Sequence, residues 1–266
     1  MPQALKIAKN AGVKISFDGG ADRYSSNTRY LAENADICIV AKDFAEKYTG
    51  EKLIIMESER LYQVQKEDLP KLENLLTQCF REDPLYHSLI PNKDVRERLM
   101  PELFTCDLTE FFETCEIYAD SSELNSILVV SDGTEHEAAL HNLMVDFFAL
   151  LKTDGYLIKE DPSLATLRKF IQGKDYLNSS WTSQLHTAER LHVIYLAVAP
   201  KMQHHGLAEK LMDEVIDYAD RHKLMISLET HNPANVSMYE KFGFKLYGIV
   251  QKKGFDLKQY CMIKQA

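Results

Sequence analysis

The chain has 266 residues, of which 45% are hydrophobic and 27% are charged. This composition excludes collagen-like, low-complexity and wholly disordered proteins, and the length suits one large domain or two unequal ones. The formal net charge of −9 argues against broad electrostatic capture of nucleic acid, which needs clustered Lys and Arg side chains.

The cysteines indicate a reducing compartment. Five of them are scattered along the chain, and no two form a CxxC pair. An odd, dispersed set is typical of reduced, buried thiols. The N-terminus lacks the apolar stretch of a signal peptide, and no run approaches the ~18 apolar residues of a membrane span. We therefore expect a cytoplasmic protein that does not contact membranes.

Residues 1–55 have a small alternating α/β pattern. Val13–Phe17 and Ile37–Val40 are predicted strands, and a helix is predicted around Asn27–Asn34. Two strands are too few for a stable domain, so this segment is expected to pack on the rest of the chain or on a partner. The remainder, residues 56–266, carries the acidic balance and forms the second predicted domain.

The N-terminal segment resembles part of a ribokinase-like sugar kinase. The matching text is residues 13–18, 31–37 and 44–50, with Asp43 at the usual Asn of an acidic motif and Glu46 retained. The family's later Gly-Ala-Gly-Asp segment is missing from the sequence. The resemblance therefore implies a structural or oligomerising remnant, compatible with a homodimer, and not an active kinase.

From residue 56 onward the pattern changes to longer helices separated by short strands. An amphipathic helix is predicted over Glu67–Phe80, ended by a break at Asp83-Pro84, and a second helical region over Lys93–Cys115. The other elements expected before residue 190 are strands at Leu61–Val64, Glu116–Ala119 and Ile127–Ser131, and helical segments at 137–152 and 162–173. Trp181 lies in a polar stretch, where it either belongs to a loop over a pocket or anchors the core.

The segment most informative about chemistry joins a strand to a helix through a short loop. His192–Val198 is a predicted strand, Gln203–Ala208 a loop, and Glu209–His222 a helix. Unpaired backbone N–H groups at a helix N-terminus attract anions, and Gly206 lets a ligand approach closely. No Gly-Lys-Ser/Thr sequence follows, so we expect a pyrophosphate held by backbone amides and not a nucleotide P-loop.

A second strand and a short helix follow directly. Met225–Thr230 is the predicted strand, and the helix beginning at Asn235 places that residue and Tyr239 on one helical face. Gly243 is a natural C-terminal cap for this helix. Two further strands are predicted, at Lys245–Gln251 and Gln259–Lys264.

These motifs resemble the GNAT superfamily of acyl-CoA-dependent N-acyltransferases. The loop matches the pyrophosphate-binding pattern Gln/Arg-x-x-Gly-x-Gly/Ala, and the stretches Tyr195–Pro200 and Leu228–Phe244 resemble the branch that includes puromycin acetyltransferase. The implied fold is α+β: a mixed, mostly antiparallel sheet splayed between two strands and flanked by helices, with the N-terminal α/β segment as an extension.

The resemblance also implies roles for individual residues. Ala197 and Val198 would offer backbone groups to the pantetheine arm of acetyl-CoA, and Asn235 would contact the same cofactor. Tyr239 would lie near the sulfur and act as general acid toward the departing thiolate. The remaining cofactor-binding residues would be those of the pyrophosphate loop: Gln203, His204, His205, Gly206, Leu207 and Ala208.

The general base is left open between two residues on the central strands. Glu229 is the first candidate and His192 the alternative, each acting directly or through water. Metal catalysis is not expected, because the adjacent His204 and His205 seldom ligate one ion together. His136 and His141 are five residues apart and diverge around a helix, unlike the zinc-protease motif.

The sequence therefore predicts an acetyl-CoA-dependent N-acetyltransferase that acts on a primary amine, without metal and without nucleic acid. The alternative is a non-catalytic acyl-CoA-binding module whose N-terminal segment mediates assembly. Neither the identity of the amine acceptor nor the oligomeric state follows from the sequence.

Overall fold

The computed structural model describes residues 15–17, 37–39, 56, 58–132, 161–173, 177–185, 190–253 and 255–266. The chain divides into two compact units, Met1–Ile54 and Ile55–Ala266. In the first unit, β1 (Ile15–Phe17) and β2 (Ile37–Ile39) form a parallel pair. The helices predicted around 27–34 and 137–152 lie outside the described residues.

The second unit contains a seven-stranded sheet flanked by helices. Its strands are β3 (Tyr62–Gln63), β4 (Glu116–Ala119), β5 (Ser126–Asp132), β6 (Arg190–Val198), β7 (Met225–Thr230), β8 (Lys245–Val250) and β9 (Gln259–Lys264). Its α-helices in the described ranges are α1 (Leu69–Phe80), α2 (Pro84–Leu89), α3 (Lys93–Thr114), α4 (Ala165–Gly173), α5 (Leu207–His222) and α6 (Pro233–Lys241). None of these helices is long and apolar enough to cross a membrane.

The strands are arranged in the order β3-β4-β5-β6-β7-β9-β8. All neighbours pair antiparallel except β6 and β7, which run parallel at the centre. A parallel connection needs a crossover, and α5 supplies it between these two strands. The predicted mixed, mostly antiparallel sheet is confirmed.

The central strands separate partway along their length. Pairing of β6 with β7 runs from Arg190 to Val193 and then stops, although β6 continues to Val198. At this point the register of β6 against β5 shifts, which leaves Ile194 as an extra residue in β6. Such a bulge bends a strand and increases its twist, so it moves the end of β6 away from β7.

Side chains alternate across the sheet and form a core on each face. Ile127 and Val129 pack toward α1 and α3, whereas Leu128 and Val130 pack toward α5. Because successive strand residues point to opposite faces, one strand contributes to both cores. The two helical layers thereby fix the splayed ends of β6 and β7 from both sides.

The prediction for Asp83-Pro84 was incomplete. The pair ends α1, but it also begins α2, because the Asp83 side chain accepts a hydrogen bond from the amide of Leu85 at 2.9 Å and Pro84 occupies the first turn. Proline is favoured there since its missing N–H has no helical partner. The carboxylate of Asp83 is thereby fixed beside the open ends of the central strands.

Candidate active site

A cleft runs along the open end of β6 to the start of α5. Nine of the ten residues predicted from the sequence to bind the cofactor line it, and His205 is the exception. The nine are Ala197, Val198, Gln203, His204, Gly206, Leu207, Ala208, Asn235 and Tyr239. The structure therefore gathers into one groove residues that the sequence placed on a strand, a loop and two helices.

The N-terminus of α5 has the features of an anion site. Gly206 is the N-cap residue, with φ +79°, and no side chain caps the helix. A Cβ atom built on Gly206 would have no neighbour within 4 Å, so it would project into open space in the cleft. The first amides of a helix lack intrahelical partners, which leaves those of α5 available to a pyrophosphate.

The loop between β6 and α5 is tied to the end of the strand. Gln203 donates from Nε2 to the Val198 carbonyl oxygen at 3.3 Å, and the Cys79 thiol donates to the same oxygen at 3.2 Å. His204 has φ +64°, an uncommon conformation for a residue with a side chain. His205 instead lies 2.8 Å from the carbonyl oxygen of Gln203 through Nδ1, on the exposed side of the loop.

A second cavity meets this cleft at the gap between β6 and β7. Its walls include residues of α1, α2, α3, α4, β6, β7, α6 and β9. Five residues line both the cleft and the cavity: Phe80, Asp83, Leu196, Asn235 and Tyr239. This junction is where a group held in the cleft would meet a group held in the cavity.

Two ionisable side chains, Asp83 and Tyr239, lie at the junction of the cleft and the cavity. Burial, and secondarily the charge of Asp83, raise the pKa of Tyr239 well above its ordinary value. The phenol therefore keeps its proton at neutral pH, and its hydroxyl has no hydrogen-bond partner among the described residues. Burial also raises the pKa of Asp83, although the Leu85 amide and the charge of His87 favour its ionised form. Asp83 is thus a better proton acceptor than an exposed carboxylate.

Glu229, the first candidate base, is held by three side chains. Ser179 donates to Oε1, Trp181 donates from Nε1 to Oε2 at 3.0 Å, and His192 Nε2 lies 3.3 Å from Oε2. Burial alone would raise the pKa of Glu229. The charge of His192 and the three hydrogen bonds outweigh burial and lower the pKa to about 2. A carboxylate with so low a pKa accepts protons weakly.

His192, the alternative base, is 1% exposed and does not line either cavity. Its Nδ1 lies 2.8 Å from Ser227 Oγ, and that hydroxyl donates to the Leu191 carbonyl oxygen at 3.2 Å. His192 Nε2 faces the carboxylate of Glu229, so the two candidate bases are engaged with each other inside the protein.

Trp181 serves both roles that the sequence left open. Its side chain is buried in a 3-10 turn, Ser179–Gln184, and its ring nitrogen holds Glu229. The neighbouring Asn178 lines the second cavity, and its carbonyl oxygen accepts from Gln259 Nε2 at 2.8 Å. The polar stretch around Trp181 therefore anchors the wall of a pocket.

The sequence did not identify Asp83 and Asp107 as functional residues. Asp83 was interpreted only as a helix breaker, and Asp107 lies inside a long helix with no motif around it. In the described part of the chain, no group of three or more His, Cys, Asp and Glu side chains is arranged to hold a metal ion. His136 and His141 lie outside the described residues.

Comparison with known proteins agrees with this geometry. Residues 170–244 match the Acetyltransferase (GNAT) family. A solved structure from Corynebacterium glutamicum, described as histone acetyltransferase HPA2 and related acetyltransferase, is 16% identical; the match covers 79% of this chain and 98% of that one, with a TM-score of 0.51. No curated protein matches the sequence.

Two insect structures resemble the chain more distantly. A mosquito arylalkylamine N-acetyltransferase like 5b is 15% identical over 77% of this chain and 99% of its own, with a TM-score of 0.46. The Drosophila melanogaster polyamine N-acetyltransferase is 14% identical over the same shares, also with a TM-score of 0.46.

The family segment contains the strand, loop and helices that build the cleft, and the structure around it is the one that the resemblance implied. The chain therefore has the GNAT acyltransferase fold and matches the Acetyltransferase (GNAT) family over residues 170–244, which together support an N-acetyltransferase enzyme.

Proposed function

We propose that the protein transfers the acetyl group of acetyl-CoA to the primary amine of a small molecule. The observation that carries this proposal is the junction, where a phosphate-binding cleft opens into a second cavity beside Asp83 and Tyr239. A passive acyl-CoA-binding module would need the cleft alone. A separate cavity that meets the cleft beside two ionisable groups favours catalysis between two substrates.

The residues present fit acetyl-CoA. The free amides at the start of α5 and the open space at Gly206 suit the pyrophosphate, and the unpaired edge of β6 suits the pantetheine arm. When bound there, the cofactor supplies an acetyl thioester. The chain then has to orient an amine toward that thioester, remove its extra proton and stabilise the departing sulfur.

In this proposal Asp83 accepts a proton from the amine, and Tyr239 donates a proton to the departing sulfur. Amines are protonated at neutral pH and attack only after losing a proton, and the raised pKa of Asp83 suits it to accept that proton directly or through water. The protonated Tyr239 hydroxyl donates to the sulfur as the C–S bond breaks. The Glu229–His192 pair, which the sequence offered as the base, holds β6 and β7 in place instead.

The experiment is thiol release from acetyl-CoA with a panel of primary amines. We expect Asp83→Asn to lower kcat by roughly 10²–10⁴-fold, since a positioned acid or base contributes about that much. Tyr239→Phe should lower kcat by a smaller factor, because a solvent proton can replace the phenol's. Acetyl-CoA affinity, measured by calorimetry, should stay within threefold of wild type in both variants.

Asp256→Asn is the matched control, because Asp256 is exposed and lines neither cavity. Unchanged kcat in both Asp83→Asn and Tyr239→Phe would contradict these roles. Binding of acetyl-CoA with no thiol release for any amine would favour the passive binding module. The puromycin-acetyltransferase-like branch, the homodimer and the sugar-kinase origin of residues 1–55 stay predictions.

A further inference from the structure

Asp107 is a carboxylate inside the second cavity that the proposed chemistry does not use. It projects from the middle of α3 and lines the cavity together with Tyr86 of α2 and Tyr195 of β6. None of these three residues lines the cofactor cleft. Asp107 therefore belongs to the part of the cavity beyond the junction, where the body of an acceptor would lie.

No cationic side chain neutralises this carboxylate within the described part of the chain. Its hydrogen-bond partner there is the hydroxyl of Tyr195, and it takes part in no ion pair. The neighbouring charge on α3 is Glu110, which is also acidic, and burial and this charge together raise the pKa of Asp107 to about 7 against the hydrogen bond from Tyr195. An uncompensated carboxylate in a cavity is costly, so it either takes up a proton or gains a counter-charge from a ligand.

The hydroxyl of Tyr195 donates to Asp107, and its oxygen lies 3.5 Å from the hydroxyl of Tyr86, at the outer limit of a hydrogen bond. When Asp107 is ionised, its carboxylate has only acceptor sites. A ligand group bound there has to donate, and a carboxylate favours a donor that is positively charged.

Apolar side chains from α2, α3, α4 and β6 form much of the cavity wall: Leu85, Leu89, Leu103, Phe170 and Ile194. Such walls suit a hydrocarbon body. The rest of the lining is polar and includes Asn178, Glu229, Thr230, His231 and Gln259. The carboxylate of Glu229 is held by Ser179 and Trp181, whereas Asp107 has one side-chain partner, Tyr195, among the described residues.

We propose that the acceptor is a diamine-like molecule: one primary amine reacts at the junction while a second cationic group, joined to it by a short apolar chain, binds Asp107. This assignment rests on the proposed function and names its substrate class. Asp107 is a specificity residue in it, and Tyr195 positions the carboxylate. The second cation neither gains nor loses a bond during the reaction.

The test compares two acceptors that differ only at the far end. In 1-aminopentane a methyl group replaces the second ammonium of 1,4-diaminobutane. We expect the wild-type protein to prefer the diamine by at least tenfold in kcat/KM, mainly through a lower KM. In Asp107→Asn this preference should fall below threefold.

The ratio of the kcat/KM values for two acceptors, measured on one protein sample, does not depend on the fraction of the protein that is folded. A loss of preference in Asp107→Asn therefore cannot result from poor folding. Glu110→Gln serves as the control, because it removes a charge from the same helix without altering the cavity lining, and it should keep the preference. Equal use of both acceptors by the wild type, or a preference retained by Asp107→Asn, would overturn the assignment and leave the acetyltransferase proposal intact.

If no amine gives thiol release, the proposed function fails, and binding then tests the assignment by itself. Calorimetry with 1,4-diaminobutane should show binding to the wild-type protein and at least tenfold weaker binding to Asp107→Asn. Equal affinities, or no binding to the wild type, would count against a cation subsite at Asp107.

Discussion

Gly206 and Gly243 share a backbone conformation but face different surroundings. Their φ angles are +79° and +88°, in the region where a side chain is strained. A Cβ on Gly206 would enter the cleft, whereas a Cβ on Gly243 would lie 3.5 Å from the side chain of Lys264. Alanine substitutions at the two positions therefore distinguish the effect of backbone strain, which both share, from the effect of a side chain in the cleft, which only Gly206→Ala has.

We predict that Gly206→Ala and Gly243→Ala each lower the free energy of unfolding by about 1–2 kcal/mol, the cost of a left-handed non-glycine residue. Only Gly206→Ala should also weaken acetyl-CoA binding, by at least tenfold, and Gly206→Val should abolish it. Urea unfolding and calorimetry measure the two effects. Equal acetyl-CoA affinity in both alanine variants would show that the phosphate does not approach Gly206.

At the scale of elements, the Glu229–His192 pair joins parts that would otherwise separate. His192 lies on the paired segment of β6, Glu229 is the first residue of β7 beyond the pairing, and both contact the turn Ser179–Gln184. The splay of the central strands thus begins directly after this buried contact between His192 and Glu229. Rigid strands on both sides of the junction keep its geometry fixed.

We predict that Glu229→Gln destabilises the protein by about 3 kcal/mol at pH 7, because it removes a buried carboxylate that accepts from Ser179 and Trp181 and faces His192. The folded pKa of Glu229, about 2, lies below its ordinary value, so its stabilisation is fully present above about pH 4.5 and is lost as the pH falls toward 2. The difference in stability between wild type and variant should therefore shrink from pH 5 to pH 3.

Urea midpoints at these two pH values measure that difference. Glu240→Gln, at an exposed position of α6, is the control and should change stability by less than about 0.5 kcal/mol at either pH. A Glu229→Gln difference that stays constant with pH would mean that Glu229 is not the ionised partner of His192.

At the scale of the whole molecule, Met56 lies ahead of the first strand of the second unit and packs into its core. Met56 is 3% exposed, its amide donates to Glu116 Oε2 at 3.0 Å, and its carbonyl oxygen accepts from the hydroxyl of Tyr118. These contacts fasten the start of the unit to β4. The unit therefore includes Met56 in its core.

We predict that residues 55–266 alone unfold cooperatively and bind acetyl-CoA as the full chain does. A chain begun at Ser58 should be less stable by about 3 kcal/mol, since it lacks the buried Met56 side chain and its hydrogen bonds. Thermal or urea unfolding of the two truncated chains checks this. Failure of residues 55–266 to fold would show that the N-terminal segment is required.

Short-range features of the fold followed from the sequence. The strand, loop and helix of residues 192–222 were predicted in order, because hydrophobic periodicity and glycine conformation act over a few residues. The helix over Lys93–Cys115 was predicted nearly to its ends, which the structure places at Lys93–Thr114. The segment at 162–173 was placed correctly, although its α-helix begins only at Ala165.

The roles of the acid–base side chains could not be predicted from the sequence in the same way. Glu229 and His192 were correctly placed on adjacent central strands, but their sequence gave no sign that they bond to each other and to Ser179 and Trp181. Asp83 carried no catalytic signal in the sequence, where Asp83-Pro84 was interpreted only as a helix break. Whether a carboxylate is free or engaged depends on side chains from distant segments, and these meet only after packing.

By itself, the sequence determined the fold class and most of the residues that line the cleft, since both are built from continuous motifs whose backbone conformation is locally specified. Only the tertiary structure decided how the cleft meets a second cavity, which carboxylates pair within the protein, and which face that cavity. The physical reason is that ionisation depends on burial and on neighbouring charges, and at Asp83, Asp107 and Glu229 these come from residues far apart in the chain.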